Sequence, residues 1–345
     1  MKFINTTITE FGYVLPPNIL SSASIEKKLS AVYKKLKLPE GRLELMSGIK
    51  ERRLWNAGTK PSEAAILAGT KAMENAKVKP EQIESLIFSS VSRDMMEPAT
   101  ASFVHSGLHL PATCHAFDLS NACLGFLNAM VMTANMIETG QIKTGLVVAG
   151  ETAENLINST ITNILNDTEL TRKSIKGHFA SLTIGSGSIA VVMQHSSLNP
   201  KGIKLIGGAL NTNTKHNNLC QGADGNNGTL MQTDSEELLK RGIETAANTW
   251  PLFLQNLQWN PKTPNRFFTH QVGIAHSKLL FETLGINPKL NFPTVEVMGN
   301  TGSVAAPLGT AMAIEQGYFE KGDKAAMLGI GSGINCLMLA MEYPR

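Results

Sequence analysis

The chain has 345 residues, 42% hydrophobic and 17% charged, with a formal net charge of +3. That composition excludes a disordered chain, a coiled coil or a collagen-like repeat, and the charge is too mild for nucleic acid to be the main partner. The length suits two domain-sized units, or one large domain built from two halves, and can bury a sizeable core without staples.

The N-terminus, MKFINTTITEFGYVLPP, lacks the apolar run of a secretory signal, and residues 2–10, rich in Phe, Ile and Thr, read as a strand. Ile25, Leu29, Val32 and Leu36 have helical spacing and predict a helix over 24–36; a second fits Glu63 to Ala76. Ser85 to Val91 is a short apolar run, the pattern of a buried strand. From Cys123 to Glu138 the chain is apolar nearly all round, which predicts a helix buried in a large protein and closed by Gly140. Ser120 and Asn121 are good caps for it, and Leu146 to Ala149 is the next strand. Residues 152–235 are less periodic. They include the strand-like "SLTIGSGSIAVVM" and the Gly/Asn-rich "QGADGNNGTL", and read as an insertion covering one end of the core.

The C-terminal half repeats this order. Asn300 to Glu315 reads as a small-residue helix closed by Gly317, followed by the strand Ala325 to Ile330. "MIETGQIKTGLVVAGE" has the cadence of "AIEQGYFEKGDKAAMLGIG", and "SLIFSSVSRD" that of "NRFFTHQVGI". A duplicated strand–helix–strand unit predicts two similar halves facing each other. No stretch is long and apolar enough to predict a membrane span. The four cysteines, Cys114, Cys123, Cys220 and Cys336, form no CxxC pair and no zinc-like cluster. Free thiols in a reducing cytoplasm, and no metal, are therefore expected.

Three residues carry candidate chemistry. Cys123 opens a helix, where the dipole and the unpaired N–H groups favour a thiolate, although a lone Cys is more often plain core. His270 follows Phe267-Phe268-Thr269 at a strand end, where open α/β sheets place ligands. Asn300 lies in the Gly-rich entry Met298-Gly299-Asn300-Thr301-Gly302, which also suits a simple N-cap. The duplication would bring all three to the centre between the halves, and Cys, His and Asn meeting there make an acyl-transfer site.

"SGIKERRLW", "FDLSNACLGF", "SLTIGSGSIAVV", "HQVGIAHS", "MGNTGSVAAP" and "LGIGSGINC" fall in the order of a known family. The chain resembles the ketoacyl synthase III branch of the thiolase superfamily, most closely the OleA-type acyl-CoA condensing enzymes, over nearly its whole length. The resemblance implies an α/β thiolase fold, a duplicated five-layered αβαβα core with a covering insertion, its halves spanning 1–195 and 196–345. It implies a homodimer acting on coenzyme A thioesters without a further cofactor. Cys123 would become the acyl-enzyme, and His270 and Asn300 would hold the enolate of the second substrate. The backbone N–H groups of Cys123 and Ser332 would form the oxyanion hole. "SRDMMEPATAS" resembles the stretch whose glutamate, here Glu97, acts as base in the partner subunit's site.

The chain also departs from the pattern. Val272-Gly273-Ile274 follow His-Gln where carrier-protein-dependent relatives have Ala-Asn, so docking of acyl carrier protein is doubtful. Arg42 and Met46 stand where the Trp and Arg that hold CoA are usual.

The function implied is non-decarboxylating Claisen condensation of two fatty acyl-CoAs to a 2-alkyl-3-oxoacyl thioester. The alternative is decarboxylating condensation with a malonyl thioester, which needs no base such as Glu97. A cysteine hydrolase shares the Cys, His, Asn order but lacks the papain-type signature around its nucleophile. A non-catalytic acyl-binding protein would not require the intact set.

Overall fold

The computed structural model describes residues 1–225 and 228–345, so Asn226 and Asn227 of the Gly/Asn-rich segment lie outside the described residues. The chain runs β1 (Thr6–Val14), β2 (Asn18–Ser21), α1 (Ser22–Lys28), α2 (Ser30–Lys35), α3 (Arg42–Ser47), β3 (Glu51–Leu54) and α4 (Pro61–Ala76). It continues with β4 (Ser85–Phe88), α5 (Thr100–Gly107), β5 (His115–Asp118), α6 (Gly125–Glu138) and β6 (Thr144–Glu151). Next come α7 (Glu154–Asn166), α8 (Lys176–Leu182), β7 (Gly187–His195), β8 (Ile203–Thr212), β9 (Cys220–Gly225), β10 (Gly228–Thr233) and α9 (Ser235–Leu257). The last elements are β11 (Arg266–Thr269), α10 (Ile274–Leu284), α11 (Val295–Met298), α12 (Ala305–Glu315), β12 (Lys324–Gly331) and β13 (Asn335–Glu342).

Nine strands form one sheet in the order β11-β12-β13-β8-β1-β7-β6-β4-β5. The order shows the duplication. β4 lies parallel to β6 as β11 does to β12. β6 is antiparallel to β7 as β12 is to β13, and β7 to β1 as β13 to β8. β5 lies parallel beside β4, and its counterpart is a single parallel bridge, Phe267 to Asn291. β1 and β8 join the halves edge to edge.

Period-two side-chain alternation makes each half of the sheet bury both faces. Ile87, Val147 and Val191 face inward with Phe268, Met327 and Leu339 of the other half, around Phe126 and Met130 of α6 and Leu308 of α12. Their neighbours Leu86, Val148 and Val192 face outward to Ala65, Ala68 and Ala72 of α4 and Val104 of α5. Likewise Phe267, Leu328 and Met338 face Trp250 and Phe253 of α9 and Phe281 of α10. The result is five layers, α-β-α-β-α, with α6 and α12 in the middle. Gly140 and Gly317, at φ 73° and 68°, turn the chain out just after these two helices.

Three expectations need correction. The first strand starts at Thr6, not at residue 2, because the Ile4 and Asn5 N–H groups and the Thr6 hydroxyl donate to the Glu138 carboxylate. The helix over 24–36 is divided at Leu29, which ends α1 and precedes α2, although Ile25, Leu29 and Val32 still share one buried cluster. The strand-like "SLTIGSGSIAVVM" is no cover: Gly187–His195 is β7, a central strand buried on both faces. The covering layer is α7 and α8 packed on α1–α3 through Ile157, Ile161, Phe179, Leu43 and Tyr33, with the β9–β10 hairpin beside α8. Among the described residues no helix is long and apolar enough to cross a membrane.

Candidate active site

The duplication places like segments together. The turns that open α6 and α12 are equivalent, and they carry Cys123 and Asn300; the loops after β4 and β11 are equivalent, and they carry Glu97 and His270.

Cys123 sits in a 3-10 turn, Ala122–Leu124, ahead of Gly125, where α6 begins. Ala122 has φ 45°, an uncommon left-handed conformation for a residue with a Cβ. A Cβ at Gly125 would lie 2.5 Å from Ser89 Oγ, so only glycine lets this turn lie against the end of β4. The end of β12 comes equally close from the other half: a Cβ at Gly331 would lie 3.0 Å from Leu124 Cγ. Ser332 follows directly, so the structure brings Cys123 and Ser332 together. Asn335 Nδ2 donates to Asn121 Oδ1 (3.3 Å) and to the Ser332 carbonyl (3.2 Å), bridging the two segments. Asn121 therefore does not cap the helix; its Nδ2 donates to Asn128 Oδ1 at 2.7 Å.

His270 is buried at the end of β11, its N–H donating to the Leu328 carbonyl at 2.9 Å. Gln271 pins the loop that follows: its Oε1 accepts from the N–H groups of Thr294 and Val295 and its Nε2 donates to the Phe292 carbonyl. Asn300 is held through its backbone, its N–H donating to Thr183 O (2.9 Å) and its carbonyl accepting from Gly185 N (2.8 Å). Its Oδ1 accepts from Gly302 N–H at 3.0 Å, which fixes the side chain. The Asn300 turn and the Cys123 turn both close on Ser89 at the end of β4: Ser303 Oγ lies 3.0 Å from the Ser89 carbonyl, and Gly125 packs against Ser89 Oγ. His270 belongs to the same assembly, because the Gly302 carbonyl acts on its ring.

Burial sets the protonation states. The His270 pKa is pushed down to about 3 by desolvation and by neighbouring His276, against the pull of the Gly302 carbonyl. Its Nδ1 is buried without a hydrogen-bond partner among the described residues. The Cys123 thiol is pushed up to about 12, first by desolvation, then by Cys220 and Glu151. This corrects the expectation of a thiolate supported by the helix end. The α-helix starts two residues later, and burial outweighs the nearby N–H groups. Both groups are held toward the uncharged form.

Glu97 is exposed on the loop between β4 and α5, next to Met96, which is 92% exposed. The loop is pinned at its ends. Asp94 accepts from the Ser62 N–H and hydroxyl, and Asp118 accepts from Thr100 and Ala101 N–H. No hydrogen bond joins Glu97 to Cys123, His270 or Asn300 among the described residues. Arg42 lies over the Phe179 ring at 5.9 Å, and a Cβ at Gly48 would meet Ile274 Cδ1 at 2.3 Å, which sets α3 against the start of α10. Two surface grooves, of about 460 and 500 Å³, are lined by none of the candidate residues.

Sequence reasoning missed Glu151, Ser303, Asn335 and His276. Glu151 had a legible signal: "VVAGE" ends a wholly buried strand on a carboxylate, and such a charge needs partners.

Residues 117–214 match the model of 3-oxoacyl-[acyl-carrier-protein] synthase III, and residues 254–343 match the model of its C-terminal part. The chain is 37% identical to the acyl-CoA:acyl-CoA alkyltransferase of Shewanella oneidensis, over 99% of this chain and 100% of that protein. It is also 37% identical to the protein of that name from Xanthomonas campestris, with the same two coverages. The crystal structure of X. campestris OleA with cerulenin bound superposes with a TM-score of 0.95 at 36% identity, covering 99% of this chain and 98% of that one. The chain therefore belongs to the OleA-type condensing enzymes of the thiolase superfamily, within the 3-oxoacyl-[acyl-carrier-protein] synthase III family.

Proposed function

We propose that the protein joins two fatty acyl-CoA thioesters by non-decarboxylating Claisen condensation, giving a 2-alkyl-3-oxoacyl-CoA. The observation that carries this reading is 37% identity, over 99% of this chain, to enzymes named acyl-CoA:acyl-CoA alkyltransferase, with Cys123, His270 and Asn300 on adjoining elements. In the first step Cys123 Sγ attacks the carbonyl of one acyl-CoA and its proton leaves on the CoA thiol. Because the thiol is held toward its neutral form, its proton leaves together with the attack rather than ahead of it. The N–H groups of Cys123 and Ser332 hold the oxyanion.

In the second step Glu97 of a second copy takes a proton from the carbon beside the carbonyl of the second acyl-CoA. His270 and Asn300 donate to the enolate oxygen. The enolate carbon attacks the acyl-Cys123 carbonyl, the C–S bond to Cys123 breaks, and the proton taken by Glu97 is returned to solvent while the Cys123 sulfur regains one, restoring both groups. A homodimer fits this use of Glu97: its loop presents the apolar side chains of Met95, Met96 and Val91, 41%, 92% and 53% exposed. The steps use no cofactor beyond the CoA thioesters, and we place them in the cytoplasm, where four free thiols suit the redox conditions.

The second reading, decarboxylating condensation with a malonyl thioester, is favoured by the name of the matching family model. Mass spectrometry of the products separates the two. Acyl-CoA alone should yield the branched 3-oxoacyl product. A product that appears only when malonyl-CoA is added would replace this reading with the second.

A further inference from the structure

Glu151 ends β6 and is 5% exposed. Five donors converge on its carboxylate. Oε1 accepts from Val91 N–H (2.9 Å), Ser303 Oγ (2.7 Å) and Ser303 N–H (3.3 Å). Oε2 accepts from Ser92 N–H and Ser92 Oγ, both at 3.0 Å. Every partner is a donor, which is the surrounding an acceptor-only carboxylate requires. The partners come from both halves. Val91 and Ser92 begin the loop that carries Glu97, and Ser303 belongs to the turn that follows Asn300. Gly302 touches the same carboxylate, since a Cβ there would lie 3.0 Å from Oε1.

The duplicated position in the other half explains the arrangement. β6 and β12 are equivalent strands of eight residues, ending at Glu151 and Gly331. Each end meets the 3-10 turn of the opposite half. Gly331 makes room for the Cys123 turn, while Glu151 grips the Asn300 turn. One half uses absence of a side chain for fit; the other uses a charge.

We infer that Glu151 is a positioning residue, which sets the Asn300 turn in register with the base of the Glu97 loop and so fixes the geometry of enolate formation. This rests on the condensation reading above. Through-space, its negative charge also opposes ionisation of Cys123. An amide in its place would set an NH2 group against N–H and O–H donors, breaking one side of the bracket while keeping the size.

The test uses the full-length protein with Glu151→Gln and Ser303→Ala. In Glu151→Gln, condensation of acyl-CoA should fall about 10- to 100-fold, with labelled acyl-Cys123 still formed. Alkylation of Cys123 by iodoacetamide should begin at lower pH than in the parent. Ser303→Ala removes the hydroxyl bond from the Asn300 turn to Glu151 and no charge, so condensation should fall while the alkylation profile stays in place. An alkylation profile unmoved in Glu151→Gln, with acylation and condensation falling together, would make the residue merely structural. If Glu151→Gln does not fold, normal condensation by Ser303→Ala overturns the inference. Asn300→Ala is assayed in parallel: condensation lost there but intact in Glu151→Gln sinks the Glu151 role alone, whereas a parent protein that makes no product from acyl-CoA alone sinks the condensation reading itself.

Discussion

Burial acts on Cys123, His270 and His276 in one direction, toward the uncharged form. His270 and His276 hold pKa values of about 3 and 4, below the ordinary 6.5. A depressed histidine stabilises the fold above pH 6.5, and that contribution is lost as pH falls toward 4 and then 3. Cys123, raised to about 12 from 9.0, adds stability below pH 9.0 that is lost as pH climbs toward 12. The Tm should therefore be highest between these limits and fall on both sides. In His270→Asn the acid limb should be shallower, measured by thermal melts from pH 7 to 4; an unchanged acid limb would mean that His270 does not fold neutral. For the same reason iodoacetamide should alkylate Cys123 ever faster up to pH 9, and a plateau near neutral pH would reveal a thiolate the structure does not support. The identities of Cys123, His270 and Asn300 were legible because each stands at an element boundary with a family motif around it. Their electrostatics were not. A one-dimensional reading sees the helix start beside Cys123 but not the buried carboxylate and second thiol that oppose its ionisation.

Elements were legible where period and punctuation agreed. The helix over 63–76 is α4 nearly to the residue, and the duplicated cadence ending in Gly140 and Gly317 maps onto α6 and α12. Boundaries failed where side chains replaced ladder or helix bonds, as at Glu138 beside the first strand. The seat of α4 on the sheet was also invisible in sequence. A Cβ at Gly12 of β1 would lie 2.1 Å from Ala72 N and 2.6 Å from Ala68 O, backbone atoms that cannot swing aside. Gly12→Ala should thus cost about 1–3 kcal/mol or more, read from urea denaturation. Gly177→Ala, in α8 with nothing within 4 Å of the added carbon, should instead stabilise by about 0.5–1 kcal/mol. Equal effects at the two sites would remove the packing argument.

At the scale of the molecule, the proposed mechanism requires a second copy to lend Glu97. Cys123→Ala and Glu97→Gln should each abolish condensation, the latter while still forming acyl-Cys123. Coexpressed, they should restore roughly a quarter of the parent activity, since half of randomly formed dimers are mixed and each has one intact site. No recovery from mixed dimers isolated with two affinity tags would place the base within one chain. The two halves and their facing turns were legible from the repeat. Their fusion through β1 and β8 was not, because nothing in an edge strand's own pattern says which neighbour it takes.

That fusion constrains how the chain can be made. β1 precedes every other strand of the sheet in the chain yet lies at the sheet's centre, pairing Thr7 with Gln194 on one side and with Lys204 on the other. Its ladder cannot close until nearly two hundred further residues have left the ribosome. Until then the nascent chain holds an unpaired strand with Ile8 and Phe11 uncovered, the kind of edge on which chains aggregate. The Cys123 half reaches its partner strand β7 before the His270 and Asn300 half exists at all. Refolding from denaturant should consequently be slow and lose yield as concentration rises, measured by regain of activity after dilution, and a fast, concentration-independent recovery would count against this constraint.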